Sequence, residues 1–281
     1  ELVGMLATIG AINGIATVVA PIGGGVLADF GGWHGIFWFL FIVGVLLIIG
    51  SMRFRESLPG GQRQNIRWGD MYRRFGIVLH NRQYVRYILQ YGFTMGVLFT
   101  NIASAPFIMQ QYYGLSPMLF SFCFGVNAVA MVISSALAVR FSTMERALHV
   151  GNHGMLFISI LLSVAFFLDC NFWIYEILIF CLLAMVGMTF TASNTLAMDC
   201  ERKNAGVASA LLGAIGFAFG GIVSPLVGMG DIRMSTGFLF FMGSLCSCVC
   251  ACFSFHRLPF RKKALNFAPY RIINVFLQKL L

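Results

Sequence analysis

Long stretches without any Asp, Glu, Lys or Arg dominate this sequence. Seven of them occur, and each exceeds the roughly 20 residues that an α-helix needs to cross a hydrocarbon core of about 30 Å. The stretches cover residues 2–28, 30–52, 87–139, 147–168, 177–198, 204–230 and 234–256. This pattern predicts an all-α protein that crosses a membrane several times.

The stretch from 87 to 139 is long enough for two helices. It is interrupted at 110–117 by a polar turn that contains a glycine and a proline. We therefore predict eight membrane-spanning helices, at 4–28, 34–52, 84–109, 117–139, 148–168, 172–197, 205–228 and 236–256. Composition agrees, since 59% of the residues are apolar and 10% are charged, which argues against a soluble enzyme or a free nucleic-acid-binding module.

The positions of Lys and Arg predict the orientation. With eight spans, 18 of the 19 basic residues fall on one side of the membrane and only Arg233 falls on the other. Short cytoplasmic loops retain basic residues, so both ends of this chain are expected in the cytoplasm. The net charge of +9 is then a result of topology and of attraction to anionic lipid, and no nucleic-acid partner is expected.

The spans fall into a group of two and a group of six, separated by the longest internal connection. Within it, Trp68, Met71, Tyr72 and Phe75 recur at helical spacing, which predicts an amphipathic helix on the membrane surface. The predicted units are two helices over 1–56, a basic cytoplasmic loop over 57–82, a six-helix bundle over 83–256 and an amphipathic cytoplasmic tail over 257–281.

Local motifs resemble one transporter family. Pro21, Gly24 and Gly25 resemble the Pro-x-x-Gly-Gly core of the antiporter motif in the fifth helix of major facilitator drug exporters. Residues 32–40 are similar to the entry of the sixth helix in the Bcr/CflA-type drug:proton antiporters, and 55–59, 205–213 and 224–228 resemble later segments of that group. On this resemblance the eight spans correspond to helices 5–12 of a twelve-helix transporter, and the first four helices are missing from the chain.

The resemblance implies proton-coupled efflux of small drug-like or metabolite solutes by alternating access in a bacterial inner membrane. The expected partners are a small-molecule substrate, protons and the lipid bilayer. No cofactor and no metal is expected, and the full-length protein is expected to be monomeric.

The same resemblance assigns roles to residues. The third and sixth predicted helices line the cavity, and Asn127 of the fourth and Phe217 of the seventh contribute from the sides. The candidate residues are Tyr91, Met95, Asn101, Asn127, Met188, Asn194 and Phe217, together with Gln90, Thr94 and Thr189. The antiporter-motif hinge comprises Pro21, Gly24 and Gly25. Glu176 is the proton-coupling candidate, because it is the acid that comes closest to the inside of a span. Candidate gate charges in the cytoplasmic loops are Arg140, Arg146, Asp199 and Arg202.

Two other classes remain open. The chain could be a non-transporting remnant of such a transporter, with one part of the cavity missing. A polytopic membrane enzyme is less favoured, because it would need clustered acids, bases or ligands near the membrane surface. The cysteines at 246, 248, 250 and 252 recur every second residue. On a helix this spacing scatters them around the axis and does not gather them as metal ligands.

Overall fold

The computed structural model describes the backbone of residues 2–53 and 68–255. It describes the side chains of residues 23–28, 30–53, 69 and 72–252. Over these residues the chain is helical, so the predicted all-α membrane class is confirmed. The helices are α1 Leu2–Met52, α2 Trp68–His80, α3 Arg82–Pro106, α4 Pro117–Ala138, α5 Met144–Phe167, α6 Phe172–Cys200, α7 Ala205–Val227 and α8 Ile232–Phe255. The predicted tail, 257–281, lies outside the described residues.

Seven segments of the described residues are long and apolar enough to cross a membrane. They are Phe30–Met52, Arg82–Tyr112, Pro117–Ala138, Met144–Phe167, Phe172–Cys200, Arg202–Val227 and Ile232–Cys252. The remaining predicted span, 4–28, falls in the first part of α1, where most side chains lie outside the described residues. The count of eight therefore stays a prediction. Gly32 interrupts the helical backbone of α1 with φ 57° and ψ −162°, a conformation that glycine adopts without strain from a Cβ atom.

Polar residues set the starts of four helices. The side chains of Asn81, Ser116, Thr143 and Asn171 accept hydrogen bonds from the first backbone N–H groups of α3, α4, α5 and α6. Such caps satisfy donors that have no partner within the helix. Because Thr143 caps α5, this helix begins at Met144 and not at the predicted residue 148.

The helical turns become wider just beyond the end of α3. After Pro106 the chain continues as a π-helix over Phe107–Tyr112. The backbone N–H of Tyr113 donates to the carbonyl oxygen of Ile108 at 3.0 Å, five residues back. Proline has no N–H to give, so the regular ladder of α3 loses a donor just before the wide turns.

Helices α3 to α8 pack into one bundle. α6 packs against α3, α4 and α5, whereas α3 also packs against α7 and α8, and α1 lies against α4. Two apolar clusters fill the interior, and α2 contributes Val78 to the first of them. We call the end that carries Arg140, Arg146 and Arg202 the basic side, and the end that carries Asp169 and Arg233 the opposite side.

Candidate functional site

Three of the predicted cavity residues meet where α3, α6 and α7 converge. Tyr91 and Met95 of α3 and Met188 of α6 belong to the same apolar cluster. The ring of Tyr91 lies 5.3 Å from that of Phe190 on α6, measured between centroids. On α7, a Cβ added to Gly216 would lie 2.9 Å from Tyr91 Cε1 and 3.3 Å from Met95 Cγ. A glycine at this position therefore lets α7 approach the aromatic and methionine surface of α3, which we call the Tyr91 cluster.

Phe217 and Asn194 lie outside the Tyr91 cluster. Phe217 is 73% exposed on α7, and its ring contacts that of Phe99 at 6.0 Å between centroids. Asn194 is half-buried on α6. The structure thus brings together the aromatic and methionine candidates and leaves these two at the margin.

Gln90 lies on the side of α3 that meets α5 and α8, and its predicted place in the cavity stays a prediction. Its side chain is 1% exposed, and its Nε2 donates to Asn152 Oδ1 of α5 at 2.7 Å and to Ser247 Oγ of α8. Ser247 Oγ also donates to Asn152 Oδ1 at 2.9 Å. Tyr91, the next residue on α3, lies instead against α6 and α7, as expected for neighbours that differ in direction by about 100°. These three residues join α3, α5 and α8 by polar contacts.

The threonines of the predicted cavity are largely engaged within their own helices. Thr94 Oγ1 donates to the Gln90 carbonyl oxygen at 3.0 Å, and Thr189 Oγ1 donates to the Met185 carbonyl oxygen at 3.0 Å. A hydroxyl that bonds to its own helix is not free to orient a ligand with its proton. Asn101 differs, because its buried Oδ1 has no partner among the described residues.

Two residues assigned to different roles are direct neighbours. Asn127 of α4, a cavity candidate, donates through Nδ2 to Oε1 of Glu176 of α6, the proton-coupling candidate, at 3.0 Å. Asn127 is 1% exposed. The remaining oxygens, Asn127 Oδ1 and Glu176 Oε2, are buried and have no partner in the described part of the chain.

The antiporter-motif glycines differ in their surroundings. A Cβ on Gly25 would lie 2.7 Å from Ser121 Cβ of α4, whereas a Cβ on Gly24 would meet nothing within 4 Å in the described structure. The side chain of Pro21 lies outside the described residues. Gly25 therefore marks the close contact between α1 and α4, where a larger residue would force the helices apart.

The candidate gate charges make local contacts. Arg146 Nη1 donates to Ser142 Oγ at 2.8 Å, and Arg202 Nε donates to Asp199 Oδ1 at 2.6 Å. The side chains of Asp199 and Arg202 are 37% and 58% exposed and lie one helical turn apart. An exposed pair of this kind contributes about 0–1 kcal/mol to the free energy of unfolding. This one joins the last turn of α6 to the short connection between α6 and α7. Arg140 is exposed just beyond the end of α4.

The long-range polar contact on the basic side involves residues that the sequence did not single out. Asn81 Nδ2 donates to Glu201 Oε1 at 2.7 Å, which links the start of α3 to the end of α6. Asn81 Oδ1 at the same time caps α3 by accepting from the backbone N–H of Gln83 at 3.1 Å. One turn later, Tyr84 OH donates to the Ala208 carbonyl oxygen of α7 at 2.7 Å. The two partners Asn81 and Glu201 are 120 residues apart, so only the packing of α3 and α6 brings them together.

Asn81 contributes to stability in two ways, as the cap of α3 and as the donor to Glu201, and we expect a separate loss of stability when each is removed. Asn81→Ala should lower thermal stability most, because it removes both the cap, about 1 kcal/mol, and a hydrogen bond to a charged group, about 1.5–3 kcal/mol. Asn81→Ser keeps a cap acceptor and should lose only the bond to Glu201. Thermal unfolding midpoints of the purified full-length protein in detergent measure both. Equal midpoints for the two variants would contradict a separate contribution of the cap.

A cluster on the opposite side joins three segments. Arg233, near the start of α8, pairs with Asp169 in the α5–α6 turn and donates through Nη1 to Tyr112 OH at 2.8 Å. Its guanidinium carbon lies 4.3 Å from the centroid of the Tyr112 ring. Next to it, the backbone N–H groups of Arg233 and Met234 donate to Asp231 and hold the pKa of that carboxyl below its usual value. The single base that the sequence placed on this side is thus a structural centre for the turns around it.

Within the described residues, no group of three His, Cys, Asp or Glu side chains is arranged to hold a metal ion.

Comparison with known proteins gives three matches. The model of the Major Facilitator Superfamily matches residues 1–225. The chain is 34% identical over 226 residues to the protein of Bacillus subtilis named Uncharacterized MFS-type transporter YdgK, a match that covers 78% of this chain and 56% of the relative. It is 28% identical over 267 residues to the Bicyclomycin resistance protein homolog of Haemophilus influenzae, covering 87% of this chain and 62% of that protein. The chain spans less than two thirds of the length of either relative.

Proposed function

Because the chain belongs to the Major Facilitator Superfamily, we propose that it forms part of an exporter of small drug-like or metabolite solutes driven by proton entry. The family makes the chain a multi-pass membrane protein of a transporter class and points away from an enzyme. Relatives from Bacillus and Haemophilus fit a bacterial inner membrane.

The Tyr91 cluster is the observation that carries the choice of solute. Tyr91, Met95 and Met188 form a polarisable apolar cluster with one phenol hydroxyl and no charge, in which Tyr91 and Met188 are buried between the helices. Methionine and aromatic side chains repack around ligands of different shape, which suits a solute class better than one polar metabolite. The name of the Haemophilus relative favours a drug-like solute, and so does the resemblance of 32–40 and 205–213 to Bcr/CflA-type antiporters.

The further parts of the proposal concern topology and movement. The eight predicted spans would correspond to helices 5–12 of the twelve-helix fold, with the basic side and both ends of the chain in the cytoplasm. Alternating access would come from rocking of the α3–α8 bundle against the other half of a monomeric transporter. The contact of α1 with α4 at Gly25 would then lie between the halves.

The alternative of a non-transporting remnant is not favoured by the comparisons, because the Bacillus relative is named as a transporter and the family match covers most of the chain.

Uptake into everted vesicles that contain the full-length protein tests the proposal, because in such vesicles the export direction points into the lumen. Bicyclomycin and a panel of uncharged and cationic apolar compounds are offered, and uptake into the vesicles is followed with and without a protonophore. We expect uptake that stops when the proton gradient collapses. Uptake of the whole panel at the rate of empty vesicles would overturn the proposed efflux.

Variants of the Tyr91 cluster test the solute assignment within the same assay. Tyr91→Ala and Met95→Ala should change relative rates among the compounds by about tenfold, the effect of 1.4 kcal/mol, because different ligands rely on different contacts. Leu89→Ala is the matched control, since Leu89 lies on the same helix and is exposed. If the control changed the compound profile as much as the two cluster variants, the cluster would not be the binding surface.

A further inference from the structure

The bonded pair of Asn127 and Glu176 leaves two atoms unused, and both are hydrogen-bond acceptors. The bond from Asn127 Nδ2 to Glu176 Oε1 is 3.0 Å long and crosses from α4 to α6. It leaves Asn127 Oδ1 and Glu176 Oε2, which are both buried without a partner in the described structure. An ionised carboxylate only accepts hydrogen bonds, and the amide of Asn127 has one N–H hydrogen left after its bond to Glu176. The pair therefore has one donor hydrogen too few for its two unused oxygens.

One proton supplies the missing donor. Burying a polar atom without a hydrogen bond is unfavourable, and burying a charge is more so, so two unused acceptors and a carboxylate charge are unfavourable together. A proton on Glu176 Oε2 removes the charge and turns that oxygen into a donor. Its O–H can then bond to Asn127 Oδ1 while Asn127 Nδ2 continues to donate to Glu176 Oε1.

We propose that Asn127 and Glu176 form a proton-binding site between α4 and α6, in which neutral Glu176 and Asn127 exchange two hydrogen bonds. The proton binds reversibly at Oε2, and no other bond forms or breaks. Asn127 is a positioning residue, because it holds the carboxyl group through Nδ2 and accepts its proton through Oδ1.

Among the described residues, no salt bridge pairs Glu176 with a base that would keep it ionised. The titratable side chains next to the pair are Cys123 from α4 and Tyr175 from α6. Beyond the end of α3, the ring of Tyr113 lies 5.6 Å from that of Tyr175 between centroids, and its hydroxyl donates to the carbonyl oxygen of Cys170 in the α5–α6 turn at 2.9 Å. Arg233 is bonded to Asp169 and Tyr112, and the salt bridges within the described residues do not include Glu176.

Loss of the proton changes the contact between the two helices. It restores the negative charge and places two acceptors opposite each other, so one of the two hydrogen bonds is lost. The α4–α6 contact is then weaker, and the site reports proton occupancy to both helices. The role of this step in driving export rests on the proposed function, whereas proton binding itself does not.

Infrared difference spectra of the purified full-length protein in detergent, taken between pH 5 and pH 10 in steps, test the site directly. A neutral carboxyl group has a C=O stretch that an ionised one lacks. We expect a carboxyl band at neutral pH that disappears on going to high pH and is lost in Glu176→Gln. Glutamine is the matched replacement, because its amide can exchange the same two hydrogen bonds with Asn127 without a titratable proton.

Asn127→Leu tests the partner. The carboxyl band of Glu176 should move to higher wavenumber, because the C=O group loses the hydrogen bond from Nδ2. Asn101→Leu is the control, since Asn101 is another buried amide with an unused oxygen, and it should leave the band unchanged. If Asn127→Leu does not fold, the loss of the band in Glu176→Gln still decides the question.

The outcomes separate this site from the proposed function. Absence of a Glu176-dependent carboxyl band at neutral pH overturns the site, whatever the vesicle assay gives. A band that is present and moves as described supports the site, even when uptake proves independent of protons, a result that would instead overturn proton-coupled efflux.

Discussion

Gly187→Val should unfold or severely destabilise the α3–α8 bundle. A Cβ at Gly187 on α6 would lie 2.9 Å from Met131 Cγ of α4 and would also overlap the Met131 carbonyl oxygen. A side chain can rotate away, but a backbone carbonyl in a helix can move only if α4 moves. The Gly187 carbonyl oxygen also accepts from Ser135 Oγ of α4 at 3.0 Å, a bond that depends on the close approach. Overpacking usually costs about 1–3 kcal/mol, and contact with backbone favours the upper end of that range.

The thermal unfolding midpoint and the fraction of monodisperse protein in detergent measure this effect. Gly213→Val is the matched control, because a Cβ at Gly213 on α7 would meet nothing within 4 Å in the described structure. Both substitutions replace glycine by the same β-branched residue within a helix, so the difference isolates the packing against α4. A smaller loss at Gly187 than at Gly213 would contradict the close contact.

Gly25→Val should reduce efflux about tenfold or more while membrane insertion stays normal, as expected for about 1–3 kcal/mol of overpacking. The added side chain would meet Ser121 of α4, since the Cβ alone would lie 2.7 Å from Ser121 Cβ. Under the proposed function this contact joins the two halves, so separating α1 from α4 should block their relative movement. The bundle itself should survive, because α1 packs on its outside.

Gly24→Val provides the comparison for Gly25, since a Cβ at Gly24 would have free space in the described structure. Its efflux should stay within about twofold of the unsubstituted protein, a difference of less than 1 kcal/mol. Vesicles with equal amounts of each variant, checked by immunoblot, make the rates comparable. Similar losses for the two variants would show that the α1–α4 contact does not explain the motif.

Much of the fold could be predicted from the sequence, because membrane spans depend on local composition. The charge-free stretches and the polar turn at 110–117 locate α3 to α8 to within a few residues. The ends of the helices depend on capping contacts and are less predictable from composition. Thr143 caps α5, so the helix already includes Glu145 and Arg146 and begins before the charge-free stretch at 147. The wide turns after Pro106 leave no hydropathy signal, because they concern backbone bonding and not side-chain type.

The candidate site was only partly predictable. Tyr91 and Met95 meet at Gly216, because residues four apart lie on one face of a helix. The spacing does not show which neighbouring helix each face contacts. Hydropathy alone does not show that Gln90 meets α5 and α8 while its neighbour Tyr91 meets α6 and α7. The pairing of Asn127 with Glu176 spans 49 residues, and only the packing of α4 on α6 brings the two side chains together.

The wide turns at 107–112 give α3 a place where chain length can vary over evolutionary time. A π-helix holds more residues per turn than an α-helix, so deletion of one residue there would restore regular pitch and leave residues 82–105 in their present directions. One extra residue at Gly96 would instead rotate everything beyond it by about 100°, turning Asn101 and Ser104 to new neighbours. Homologous sequences should therefore contain insertions and deletions just beyond Pro106 far more often than within α3.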